Sequence, residues 1–113
     1  MKSGSFVLVH LTNPREKFWG LLEHCDSSGV TVRGLAVEGF EDWLHEIVRE
    51  TSPTFSPSTV FFPLQRVERI SLDESIGEAA SLSERFRQAV GKDPRSYLTV
   101  DLPEDGAEAR DRP

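Results

Sequence analysis

The chain has 113 residues and a formal net charge of -6, which suits one domain with one core and leaves no room for a two-domain enzyme with a cleft between domains. The 37% hydrophobic and 28% charged composition is that of an ordinary globular domain. Residues 1–50 hold 5 basic and 8 acidic side chains and residues 51–113 hold 8 and 11, so each half carries -3 and neither is a basic arm of the kind that lives on phosphate contacts.

One cysteine, Cys25, excludes an internal disulfide and a multi-cysteine metal site, and it fits a reducing compartment. No apolar run approaches the roughly 18 residues that a membrane helix needs. The opening stretch, Met1 to His10, lacks the length and the small-residue cleavage site of a signal peptide. The expectation is a cytoplasmic protein with no membrane partner.

Phe6-Val7-Leu8-Val9-His10-Leu11 is aromatic and β-branched, a first strand, and Thr12 to Glu16 punctuates it with a proline turn. Lys17 to Cys25 is a second strand, with Phe18, Gly20, Leu22 and His24 facing one way and Trp19, Leu21, Glu23 and Cys25 the other. Gly20 in mid-strand marks a bend or a bulge. Asp26-Ser27-Ser28-Gly29 is a hairpin turn, and Val30 to Val37 a third strand with Val30, Val32, Gly34 and Ala36 on one face.

The period then changes. Phe40, Trp43, Leu44, Ile47 and Val48 recur at helical spacing, which predicts a helix from about Phe40 to Arg49. Thr51 to Ser58 reads as a loop. Thr59 to Pro63 and Arg66 to Leu72 read as a fourth and a fifth strand, the last with Val67 and Arg69 opposed to Glu68, Ile70 and Leu72. Ser75 to Val90 predicts one or two helices ended by Gly91 and Pro94, with Ser83 as the candidate cap of the second. The polar end has no periodic face and is expected to be disordered. The organisation expected is a β-barrel over residues 1–73, a helical segment over 74–98 and a tail over 99–113.

Five short strands in about 70 residues fit a small barrel. Gly20-Leu21-Leu22-Glu23-His24-Cys25-Asp26 matches the Gly-x-Leu-x-x-x-Asp of the first Sm motif. Val60-Phe61-Phe62-Pro63-Leu64-Gln65-Arg66-Val67-Glu68-Arg69-Ile70 resembles the second, apolar-Phe-apolar-Arg-Gly-x-x-Val-x-x-Ile. The chain is thus similar, over residues 5–72, to the Sm-like superfamily, which includes bacterial Hfq. That resemblance implies a mainly β fold, a small five-stranded Sm-like barrel, here with an inserted helix and a C-terminal helix. It also implies homo-oligomeric rings in which the fourth strand pairs with a neighbour's fifth, placing the joint near Phe61, Phe62, Val67 and Ile70. The family's base-holding residues do not carry over. Ser27-Ser28-Gly29-Val30 contains no Asn, and Pro63-Leu64 occupies the Arg-Gly slot.

Each candidate chemistry has a plain competitor. Arg15, Lys17 and Arg33 are candidate phosphate contacts and Trp19 a candidate base-stacking ring, against a reading in which the large aromatics are core. His10, His24 and His45 are scattered, without metal-ligand spacing, and no base or anion hole accompanies Cys25, so neither catalysis, metal nor cofactor is expected. Phe86, Gly91, Pro94 and Tyr97 resemble the end of an AraC-type helix-turn-helix. The simpler reading is a helix packed on the barrel through Leu82, Phe86, Ala89 and Val90. The stripe Phe40, Trp43, Leu44 and Ile47 is too apolar for water and must pack on the barrel, a sister subunit or another protein. The function expected is a non-enzymatic protein-interaction or assembly module with a degenerate Sm-like fold. The alternative is an RNA-binding Sm-like, Hfq-related protein using a non-standard surface.

Overall fold

The computed structural model describes residues 1–51 and 56–99, so most of the expected tail and part of the Thr51–Ser58 loop lie outside the described residues. Five strands, β1 (Phe6–Leu11), β2 (Glu16–Asp26), β3 (Gly29–Ala36), β4 (Ser58–Pro63) and β5 (Val67–Leu72), form one sheet in the order β4-β3-β2-β1-β5. Every pairing is antiparallel. Three helices accompany them: α1 (Phe40–Arg49) between β3 and β4, then α2 (Leu82–Val90) and α3 (Arg95–Leu98).

The period-2 alternation of β1 to β3 sorts side chains onto two faces, and both faces are covered. The inner face gathers Val7, Val9, Leu11, Phe18, Leu22, Val30, Val32 and Phe62. The outer face gathers Phe6, Trp19, Leu21 and Leu35 beneath Phe40, Trp43 and Leu44 of α1, Phe86 of α2 and Leu98 of α3. This explains why Phe18 to Leu22 is buried without a break while Glu23 to Asp26 is exposed. Gly20 faces Gly34 across β2 and β3. A Cβ at Gly34 would strike the Trp19 carbonyl oxygen, and one at Gly20 the Arg33 carbonyl oxygen, so the glycines permit a close approach of two backbones.

The terminal strands β4 and β5 are linked by a 3-10 turn, Leu64–Arg66. The turn is tied to the β2–β3 and β1–β2 turns, because Leu64 N–H donates to Ser28 O (3.0 Å) and Thr12 N–H donates to Arg66 O (2.8 Å). Arg66 also donates to the carbonyls of Thr12 (3.0 Å) and Pro14 (2.8 Å), which fixes the β1–β2 turn.

Three local expectations need correction. Val67 and Ile70 do not oppose one another, since both pack on the inner core. The β1–β5 register shifts between His10 and Leu11, so that Arg69 faces His10 and Val67 faces Leu11, and Glu68 is the extra residue of a bulge. Ser75 to Ala80 is not helical. Ile76 and Ala79 exchange backbone hydrogen bonds (2.9 Å each) around Gly77, which has φ +60°, and Ile76 is 74% exposed. A helix there would have no apolar face to bury. Finally, Ser81 rather than Ser83 caps α2, its hydroxyl accepting from Glu84 N–H at 3.0 Å.

The start of α2 is organised by Asp73. Its carboxylate accepts from Leu82 N–H (3.1 Å), Ser83 N–H (2.9 Å) and the Ser83 hydroxyl (2.7 Å), and from the indole N–H of Trp19 at 2.9 Å. Trp19 has no exposed surface and sits at the centre of the outer core. It stacks on Phe6 (5.5 Å) and meets Phe40 edge-on (5.2 Å).

Candidate functional site

The aromatic stripe of α1 is spent within its own chain. Phe40, Trp43 and Leu44 are buried in the outer core, and Ile47 packs against it half-buried. Trp43 contacts Phe86, whose ring in turn meets Tyr97, both at 5.2 Å. The C-terminal stretch therefore packs on the sheet and α1, through Leu82, Phe86, Val90 and Leu98, whereas Ala89 is exposed. Of the expected interface residues, Phe62 is buried in the inner core and Val67 and Ile70 are partly buried there. Phe61 is free, at 53% exposure.

The expected nucleic-acid contacts also separate. Trp19 has no surface to offer a base. Arg33 donates through Nε to Leu98 O at 2.7 Å and so anchors α3. Arg15 and Lys17 are exposed, and neither forms an ion pair among the described residues. Both line a cleft of about 530 Å³ bounded by residues 14–17 of the β1–β2 turn and residues 36–38 at the β3–α1 junction.

A third group joins them that sequence order conceals. Lys17 of β2 faces His10 of β1, and His10 faces Arg69 of β5. Directly opposed residues share a face, with Cβ atoms about 5 Å apart per step, so the three form one row about 10 Å long. Lys17 and Arg69 are exposed and His10 is half-buried, its Nε2 lying 3.3 Å from the Ser71 hydroxyl. Burial, then the charges of Arg69 and Lys17, hold the His10 pKa below the usual imidazole range, and Glu68 opposes them.

The remaining chemistry-bearing groups stand apart. Cys25 is exposed on β2 between His24 and Asp26, whose side chains bond each other at 2.9 Å. The His24 bond first, then Ser28 N–H at 2.8 Å, hold the Asp26 carboxyl below the usual carboxylate range. Among the described residues no group of three or more His, Cys, Asp or Glu is placed to hold a metal ion. None of their helices is long and apolar enough to cross a membrane.

The described residues thus form a five-stranded antiparallel sheet with a helical cover on one face and, among them, no strand beyond either edge. The chain matches no family model, no curated protein and no solved structure.

Proposed function

We propose that the protein is a non-enzymatic assembly module of the cytoplasm that self-associates through the two edges of its sheet. One observation carries this reading: the strands at the ends of the sheet, β4 and β5, are neighbours in sequence yet lie at opposite edges. Among the described residues each therefore has one backbone side with no strand beside it, a standing template for another chain. Apolar groups mark the same places. Phe61 on β4 is 53% exposed, Leu64 in the turn 46% and Leu72 at the end of β5 44%. β4 carries no charged residue that would guard its edge. Pairing of β4 with β5 of a second copy is the Sm-like arrangement, and it gives a head-to-tail contact that closes into a ring when the rotation allows. The lone, unpaired Cys25 supports the reducing location.

Light scattering with chromatographic separation tests this. The chain should elute as a multimer, and Phe61→Asp on one edge or Leu72→Asp on the other should shift it toward the monomer mass. Both side chains are already largely in water, so the melting temperature of the separated monomer should change by no more than about 3 °C. A parent chain that is monomeric at every accessible concentration would sink the reading.

A further inference from the structure

We propose that the row Lys17–His10–Arg69, together with the adjoining cleft, is a binding site for an organic phosphate monoester, a small molecule whose body carries hydroxyl or amino groups. The site lies on side chains of the outer sheet face and leaves the backbone edge of β5 free, so it stands apart from the assembly reading.

The argument rests on placement. Three strands bring three nitrogen-bearing side chains into one line, and the two outer ones are exposed cations without carboxylate partners among the described residues. In a chain of net charge -6, in which Arg85, Arg87 and Arg95 pair with acidic groups and Arg33 and Arg66 bind carbonyls, such a concentration is local and unspent. A phosphate monoester carries about -1.5 to -2 charge at neutral pH and offers three acceptor oxygens. The Arg69 fork suits two of them and the Lys17 ammonium supplies a point charge from the far side. His10 lies between, backed by the Ser71 hydroxyl, with Glu68 as the acidic group that also reaches it.

Lys17 also lines the cleft, so a phosphate on the row has its organic body beside Pro14, Arg15, Ala36 and Val37. A cleft of about 530 Å³ is in the range of small-molecule sites. Its two carboxylates do not cancel the row. Glu16 pairs with Arg66 at 3.5 Å, and Glu38 is left as an acceptor, which selects a body with hydrogen-bond donors. His10 adds a pH dependence. Its neutral form is favoured between two cations, and a bound anion favours the charged form, so anion binding takes up a proton and tightens as pH falls.

Calorimetric titration of the full chain at low salt tests this with AMP, a hexose phosphate, inorganic phosphate and sulfate. AMP or the hexose phosphate should bind about tenfold more tightly than inorganic phosphate. Lys17→Gln and Arg69→Gln should each weaken it about fivefold, with Lys92→Gln as an inert control. Sulfate does not titrate in this range, so its binding isolates His10. It should tighten about threefold between roughly pH 7.5 and 5.5, and His10→Gln should remove that dependence. Three results overturn the proposal: affinity unmoved in both charge variants, organic phosphates no better than the inorganic ion, or a single-stranded oligonucleotide that binds far more tightly than AMP through the same residues. The last would make the row a track for a nucleic-acid backbone.

Discussion

Gly34→Ala should cost about 3 kcal/mol or more, and so lower the melting temperature by about 12 °C or more, although it adds a single methyl group. The reason is where that methyl lands. It meets the Trp19 carbonyl oxygen and the Cα of Gly20, both backbone atoms of the central strand pair. A flexible side chain has no part in the collision, so relief requires β2 and β3 to separate where Gly34 faces Gly20. Separation breaks ladder hydrogen bonds and opens the inner core beside Phe18 and Leu22. Gly77→Ala is the matched control. Gly77 has φ +60° and open space around its Cα, so the added methyl costs only the left-handed backbone preference, about 1 kcal/mol. Thermal unfolding followed by circular dichroism separates the two. Equal losses would show that β2 and β3 part readily enough to take the methyl and that the strand contact does not set the cost at Gly34.

Much of this architecture is legible in local pattern. β1, β3 and β2 as far as Leu22 alternate with period 2 and α1 with period 3.6, and these patterns match the faces that are buried. Beyond Leu22 the expected β2 alternation fails, because the register with β3 shifts between Leu22 and His24 and leaves Glu23 unpaired there. Gly20 stands out by its lack of a side chain, but its partner Gly34 becomes visible only through the register. The β5 alternation misleads because a bulge is a property of two strands, and the partner of Arg69 lies nearly 60 residues away. Ser75 to Ala80 misleads for another reason. Alanine and glutamate favour a helix, yet a helix needs a face to bury, and the apolar part of the outer sheet is already covered by α1, α2 and α3. The candidate phosphate site is half visible in the sequence for the same non-local reason. Lys17 and Arg15 stand out as cations beside a turn, while His10 looks like one of three scattered histidines until β1 is seated between β2 and β5. Trp19 and Arg33 look available in the sequence because burial and hydrogen bonding depend on what the helices cover.

Asp73→Ala should be the most damaging change of a single polar side chain, with a loss of about 3–4 kcal/mol in urea unfolding. Asp73 sits just beyond β5 and accepts four hydrogen bonds: from the Trp19 indole, from Leu82 N–H, and from the N–H and hydroxyl of Ser83. Removing it leaves the indole N–H with no acceptor inside a fully buried core, which costs about 1–3 kcal/mol by itself. It also removes carboxylate contacts from the first turn of α2, worth about 1 kcal/mol, although the Ser81 cap persists. The two contributions separate in a double-mutant cycle. Trp19→Phe keeps an aromatic ring but deletes the N–H, so in that background Asp73→Ala should cost only the α2 share, and the coupling should be about 1–2 kcal/mol. Ser83→Ala in a second cycle should couple to Asp73 but not to Trp19→Phe. Additivity of Trp19→Phe with Asp73→Ala would mean that the indole does not depend on the carboxylate. In that case the link between the end of the sheet, the outer core and the helical cover would rest on apolar contact alone.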